Sequence, residues 1–178
     1  MEKVTKIIDR ISDIFALLAG LAMIIGVSLI LVEIVVRSLF DSTIYITQEF
    51  TAYFLVAITF FGLAYTLKEK GHIRLTFLFK LMKTPKQRAF LDIYASIIGL
   101  IIFGIITYAT WDLFLTNALS GARSMTITKT YIAIPQFAMP LGSFLICLQF
   151  ISEILKSVIH VKTGEYPIEE PETEALGR

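Results

Sequence analysis

The sequence has little of what catalysis and covalent cross-linking require. It contains one cysteine, Cys147, and two histidines, His72 and His160, among 178 residues. A single cysteine excludes an internal disulfide and a Cys-type zinc site, and we interpret it as a thiol packed inside an apolar run. The histidines lack metal-ligand spacing, and no Gly-rich phosphate loop, nucleophile elbow or H-E-x-x-H motif is present. The sequence therefore predicts neither an enzyme nor a protein with a cofactor.

Charge is also scarce, and what there is lies unevenly along the chain. Hydrophobic residues make up 56% and charged residues 17% of the sequence, whereas ordinary soluble domains have about 45–50% and about 25%. Seven of the 16 Lys and Arg residues lie between Lys68 and Arg88, and five of the 15 acids lie from Glu165 onward. A basic cluster in so apolar a chain indicates anionic lipid headgroups as its partner and not nucleic acid.

Four apolar runs are long enough to cross a bilayer, whose hydrocarbon layer needs about 20 residues of helix. We predict spans at about residues 14–36, 44–67, 90–115 and 132–159. The predicted fold is therefore an all-α integral membrane domain over residues 1–160. Residues 161–178 are acidic, contain proline and show no periodicity, which predicts a disordered tail.

Between the second and third spans, residues 71–83 combine basic and apolar side chains. On a helical wheel one narrow stripe carries His72, Thr76, Lys80 and Lys83, and apolar residues cover most of the rest. Too short and too charged to span, this segment predicts an amphipathic helix on the membrane surface, with Lys80, Lys83 and Lys86 meeting lipid headgroups. Thr84, Pro85 and Gln87 then predict a capped helix start.

The distribution of basic residues predicts the orientation. The N-terminal flank has three Lys and Arg residues, the loop between the second and third spans has seven and the start of the tail has two, against one and two in the other loops. By the positive-inside rule, both termini and the surface helix are predicted to be cytoplasmic.

Three charged residues near the ends of the first two spans are candidate interaction sites. Glu33 and Arg37 lie four residues apart, with the acid first, which is the favourable order for a local ion pair. Glu49 lies in the first turns of the second span, where the helix dipole favours an acid. A carboxylate so close to hydrocarbon usually has a partner, and Arg37 is the nearest candidate along the chain.

The spans themselves are interpreted as apolar at mid-depth, with every acid within a few turns of an interface. Transport pathways usually carry ionisable groups at mid-depth or pairs of broken helices. Small residues at Ala16, Gly20, Ala22 and Gly26 have the spacing that lets another helix approach closely. These features favour a protein that binds and positions other membrane components.

Several motifs resemble the small membrane subunit of tripartite ATP-independent periplasmic (TRAP) transporters, over roughly residues 10–160. The similarity is carried by QEFTAYFLVAITFFGLAYTLKEKGHIRL, the basic segment after it and TYIAIPQFAMPLG. The matching positions are Glu49, Gly62, Ala64, His72, Ile73, Arg74, Tyr131 and Pro135. The chain departs from the family pattern at Ile46, where Trp is frequent, and at Thr76, where an acid is frequent.

This resemblance implies a small permease subunit in the bacterial inner membrane. It implies a large multi-span subunit that performs a sodium-coupled elevator movement, and a periplasmic binding protein that delivers an organic acid. The chain would clamp the stationary part of the large subunit. Candidate contacts are Glu33, Arg37, Glu49, His72 and Arg74, although Arg74 could instead snorkel or meet a lipid phosphate.

Two other functions fit the sequence less well. One is an autonomous small four-helix transporter that acts as a homo-oligomer and uses Glu33 or Glu49 as its proton-coupled group. The other is a membrane enzyme or an assembly factor, for which no catalytic constellation was found.

Overall fold

The computed structural model describes residues 2–69 and 85–163, and every regular element in these ranges is a helix. The helices are α1 (Glu2–Phe40), α2 (Ile46–Lys68), α3 (Pro85–Ser120), α4 (Ala133–Gln136) and α5 (Ala138–Thr163). Four of the helical stretches are long and apolar enough to cross a membrane, α4 and α5 together forming the last. The helical membrane architecture predicted from the sequence is confirmed. The predicted surface helix at residues 71–83 lies outside the described residues.

Two helices are much longer than a bilayer requires. α1 has 39 residues and α3 has 36, which correspond to about 58 and 54 Å of helix against about 30 Å of hydrocarbon. α1 continues through the charged N-terminal residues before the predicted span because no proline or glycine interrupts them. These helices must tilt or extend past the hydrocarbon layer.

α3 ends five residues beyond the predicted span, at a glycine. Gly121 has φ +68°, a left-handed conformation that costs glycine little. The backbone N–H of Ala122 donates to the carbonyl of Asn117 at 3.1 Å, which is the bond pattern of a Schellman motif. The hydroxyl of Tyr131 donates to the carbonyl of Ala118 at 2.9 Å. The last turn of α3 is therefore closed within the chain.

A short interruption at Phe137 separates α4 from α5. Pro140 has no backbone N–H, so it cannot donate to the carbonyl of Gln136 in the preceding turn. The backbone on either side stays helical, since Phe137 donates to Ala133 at 3.1 Å and Leu141 donates to Phe137 at 3.3 Å. Pro140 thus removes one backbone hydrogen bond while the chain stays helical on both sides. Its position near the N-terminus of the last span makes this tolerable.

α5 is the central helix of the bundle. Half of the residues in its most apolar 18-residue stretch are buried, against 6–11% in the corresponding stretches of the other three long helices. It packs against α1, α2 and α3. The buried core consists of Ala64 on α2 with Leu145, Ile146 and Phe150 on α5. The outward faces of α1 and α3 are apolar and exposed, as expected of surfaces that face lipid or another membrane protein.

Small residues permit close helix packing at some positions and not at others. A Cβ at Gly142 on α5 would lie 2.4 Å from the carbonyl oxygen of Phe60 on α2, so the two backbones touch there. At Gly26 on α1 a Cβ would meet the side chain of Phe54 at 3.4 Å, whereas nothing lies within 4 Å at Gly20. Of the predicted small-residue positions, Gly26 therefore faces α2 and Gly20 faces outward.

The first and last of the described helices meet at one end of the bundle. The first turns of α1 lie beside the last turns of α5, because Lys156 contacts Asp9 at 3.0 Å. α5 continues to Thr163, three residues into the segment predicted to be disordered, since no proline or glycine occurs between Gly142 and Gly164. The rest of that predicted tail, residues 164–178, lies outside the described residues.

Candidate partner interface

Glu33 joins α1 to the start of α2. One of its carboxylate oxygens accepts from Nη2 of Arg37 at 3.0 Å. The other accepts from the backbone N–H of Ile44 at 2.8 Å and from the hydroxyl of Thr47 at 3.3 Å. Tyr45, at the N-cap of α2, makes no side-chain capping bond. Glu33 therefore joins α1 to the residue just before the N-cap of α2 and to a hydroxyl in its first turn.

Arg37 is the exposed partner of this local pair. Its side chain is 65% exposed, whereas that of Glu33 is 11% exposed. A guanidinium carries five N–H donors, and Glu33 engages one of the two Nη nitrogens. The group lines an open groove of about 350 Å³ with Ile30, Ile34 and Ser38. Of the two residues, Arg37 is the one whose charge is accessible to a partner protein.

Glu49 is held inside the chain by hydroxyl groups. It is buried in the first turn of α2. Its carboxylate accepts from the hydroxyls of Tyr53, Thr126 and Thr128, of which the last two belong to the loop between α3 and α4. The predicted pairing of Arg37 with Glu49 is therefore not what the described contacts show, and the alternative, a contact of either residue with the large subunit, stays a prediction. Glu33 lies one helical turn from Arg37 and takes its donor, and neutral hydroxyls satisfy Glu49 without a counter-charge.

The remaining predicted contact residues cannot be located in the same way. His72, Arg74, Lys80 and Lys83 lie outside the described residues. Lys86 belongs to the first turn of α3, but its side chain is not among those described. These five residues remain predictions.

A polar cluster lies at the end of the bundle where α1 begins and α5 ends, and the sequence did not predict it. Gln149 on α5 is fully buried and accepts from the hydroxyl of Ser12 on α1 at 2.8 Å. Its amide N–H donates to Asp9 at 3.0 Å. Lys156 contacts Asp9 at 3.0 Å and Glu153 at 2.8 Å. The cluster fixes the position of α1 relative to α5 through directional bonds, which apolar contacts in lipid cannot supply.

A second contact at the same end joins α1 to α2. Lys68 in the last turn of α2 pairs with Asp13 and lies 3.6 Å from Glu69. Its ammonium group also lies 5.5 Å from the centre of the Tyr65 ring. The start of α1 is thus bonded to two other helices.

The opposite end has a corresponding contact between α3 and α4. The side-chain amide of Asn117, near the end of α3, donates to Oε1 of Gln136 on α4 at 2.7 Å. With the Glu33 and Glu49 clusters, this bond links α1, α2, α3 and α4 at that end. Both ends of the bundle are therefore fastened by hydrogen bonds, and apolar side chains fill much of the space between.

The chemistry of these clusters is that of binding between helices. Within residues 2–69 and 85–163, no group of three or more His, Cys, Asp or Glu side chains is arranged to hold a metal ion. Cys147 is half-buried, with its sulfur 3.6 Å from the hydroxyl of Thr107 on α3. The polar side chains of the clusters contact each other across helix boundaries.

Four apolar helices of spanning length, fastened at both ends, define a multi-pass helical membrane protein. The family model for the DctQ component of tripartite ATP-independent periplasmic transporters matches residues 26–160, from the middle of α1 to the last turns of α5. The chain therefore belongs to the DctQ family, which is a family of transporter components and not of enzymes. A comparison with curated proteins found no match. The resemblance noted in the sequence is confirmed.

Proposed function

We propose that this chain is the small permease subunit that holds the stationary part of a large elevator-type subunit in a TRAP transporter. In this proposal the complex performs sodium-coupled, binding-protein-dependent uptake of an organic acid across the bacterial inner membrane. The observation that carries the proposal is the family match over residues 26–160. Both termini and the segment from Lys68 to Arg88 lie in the cytoplasm, as the Lys and Arg counts favour.

The exposed surface of the bundle supports a binding role. Large apolar side chains cover the outward faces of α1 and α3, including Leu17, Ile24 and Leu31 on α1 and Ile101 and Ile105 on α3. In lipid, such faces gain little from hydrophobicity alone, so close packing and polar contacts at their edges determine which partner they bind. Arg37 supplies a polar contact of this kind at the loop end of α1.

The internal bonds of the bundle also support a stationary role. α1 is joined to α2 through Glu33 and Lys68, and to α5 through Gln149 and Lys156. An element that must stay still while a partner moves needs such fixed internal geometry, because loosely packed helices would absorb the movement.

The experiment is a reconstitution with and without each component. The full chain, the large membrane subunit and the periplasmic binding protein are placed together in liposomes with a sodium gradient, and uptake of a labelled organic acid is measured. We expect uptake only when all three are present, and co-purification of this chain with the large subunit. Accumulation of solute against a gradient by liposomes that hold only this chain would instead establish an autonomous transporter.

A matched pair of variants tests the contact surface within that experiment. Arg37→Gln removes an exposed charge beside the apolar face of α1, and Asp41→Asn removes an exposed charge on the loop between α1 and α2. We expect the first to weaken co-purification with the large subunit and the second to leave it unchanged. The reverse result would place the contact on the loop.

A further inference from the structure

Residues 122–132, between α3 and α4, form a loop hairpin with its own bonds. Arg123 and Tyr131 pair as an antiparallel bridge, and the N–H of Ser124 donates to the carbonyl of Thr130 at 2.8 Å. Lys129 adopts φ +49°, which turns the chain back on itself. The hairpin therefore presents its side chains in fixed directions.

Residues 125–128 form the turn at the tip of the loop hairpin. The hydroxyls of Thr126 and Thr128 donate to the buried carboxylate of Glu49. Between and beside them, Met125 and Ile127 are almost wholly exposed, at 106% and 74%. The N–H of Lys129 donates to the carbonyl of Thr126 at 3.2 Å, which closes a turn over these residues. Because the two threonine hydroxyls of the turn are bound to Glu49, the two large apolar side chains remain on its exposed side.

Glu49 also sets the position of the loop hairpin relative to α2. It lies in the first turn of α2, which is long and apolar enough to cross a membrane. The hydroxyl bonds therefore hold the hairpin at the end of a helix of spanning length. Arg123 and Lys129 flank the apolar pair, and both are exposed. Apolar side chains bracketed by basic ones have the composition of segments that lie in a membrane interface.

We propose that the loop hairpin is an interfacial anchor that binds the phospholipids of the adjacent leaflet. Met125 and Ile127 insert at the boundary between headgroups and acyl chains, and Arg123 and Lys129 bind lipid phosphates. The Glu49 carboxylate positions this anchor by holding the polar side of the hairpin against α2. The inference concerns the chain by itself and does not depend on the identity of its partners.

Fluorescence quenching tests the depth of the hairpin. Ile127→Cys and, as a control in the connector between α1 and α2, Ser42→Cys are made in a Cys147→Ala background and labelled with bimane. The full chain is reconstituted in phosphatidylcholine vesicles with added phosphatidylglycerol, with iodide on both sides or with lipids that carry a nitroxide on the upper acyl chain. We expect the nitroxide lipid to quench the Ile127 label about twofold more than the Ser42 label, and iodide to show the reverse order. Equal iodide quenching at both positions would overturn the proposal and favour a water-soluble protein as the partner of this loop.

Two further double variants test separately the hydroxyl bonds to Glu49 and the two basic side chains. Thr126→Val with Thr128→Val removes the bonds to Glu49, and we expect lipid quenching of the Ile127 label to fall, whereas Thr116→Val on the exposed end of α3 leaves it unchanged. Arg123→Gln with Lys129→Asn should lower lipid quenching more in vesicles with phosphatidylglycerol than in neutral vesicles, and asparagine tolerates the left-handed backbone at that position. Equal quenching in both kinds of vesicle would refute the role of the two cations. Unchanged quenching in the threonine variant would refute the positioning role of Glu49.

Discussion

Gly142 lies where the backbones of α2 and α5 touch, which makes it the most demanding packing position described in the bundle. A side chain there would meet the backbone of Phe60, and backbone atoms cannot move aside as the end of a side chain can. We expect Gly142→Ala to destabilise the protein by about 1–3 kcal/mol, the range found for overpacked sites. The measurement is thermal unfolding in detergent, with Gly104→Ala as the control because nothing lies within 4 Å of that position. Equal effects of both substitutions would mean that helix propensity, and not the helix contact, determines the result.

Glu33, Arg37 and Glu49 lie near one another at one end of the bundle, and mutagenesis can test which of them interact. Arg37 contacts Glu33 and not Glu49, so we expect Arg37→Gln and Glu33→Gln to be non-additive in thermal stability. Arg37→Gln and Glu49→Gln should be additive, because the two residues share no partner among the described contacts. Double-mutant cycles in the purified protein give both answers from five variants and the wild type. A coupling between Arg37 and Glu49 as large as that between Arg37 and Glu33 would contradict the described geometry.

Some of these residue contacts could be predicted and others could not, for reasons of sequence separation. The pair of Glu33 and Arg37 follows from helical spacing alone. The bonds of Glu49 reach Thr126 and Thr128 across 77 and 79 residues, and helix periodicity says nothing about such distances. Gln149 was overlooked because the surrounding run is strongly apolar, although a lone amide in a spanning helix is itself a signal of an interhelical bond.

At the scale of elements, helix existence was easier to predict than helix ends. Long apolar runs predict spanning helices because only helices satisfy their own backbone groups in lipid. The extension of α3 to Ser120 was missed, although Gly121 is a recognisable stop signal. The loop hairpin could not be foreseen, since its shape depends on Glu49 in a different helix.

The segment at residues 71–83 remains a prediction with its own test at this scale. If it is a helix on the membrane surface, Phe77→Glu with Leu81→Glu should disturb membrane docking far more than Lys80→Gln with Lys83→Gln. The first pair places charge in the apolar face, whereas the second loses at most about 1 kcal/mol of lipid attraction per residue. Assembly with the large subunit and protease accessibility of the segment measure the difference. Equal losses from both pairs would show that the assignment of the faces is wrong.

At the scale of the whole molecule, the orientation in the membrane is predicted from the basic residues outside the spans and not from the packing of the helices. The first turns of α1 and the last turns of α5 meet at one end of the bundle, and the basic residues favour the cytoplasm for that end. We expect Ser120→Cys and Lys83→Cys, each in a Cys147→Ala background, to label oppositely with an impermeant thiol reagent, with Ser120→Cys reached from the periplasm. Labelling of the Lys83→Cys variant from outside intact cells would reverse the orientation.

The central position of α5 has a consequence for biosynthesis. Of the described long helices, α5 leaves the ribosome last, yet Gln149 and Lys156 are the residues that meet Ser12 and Asp9 of α1. A nascent chain that stops at residue 137 keeps those two polar groups of α1 without their later partners, so its earlier helices should pack loosely. We expect such a truncated chain to be cut by protease in membranes much faster than the full chain, and equal resistance would contradict this. The synthesis of α5, and not the insertion of any earlier helix, would then set the moment at which the helices become resistant to protease.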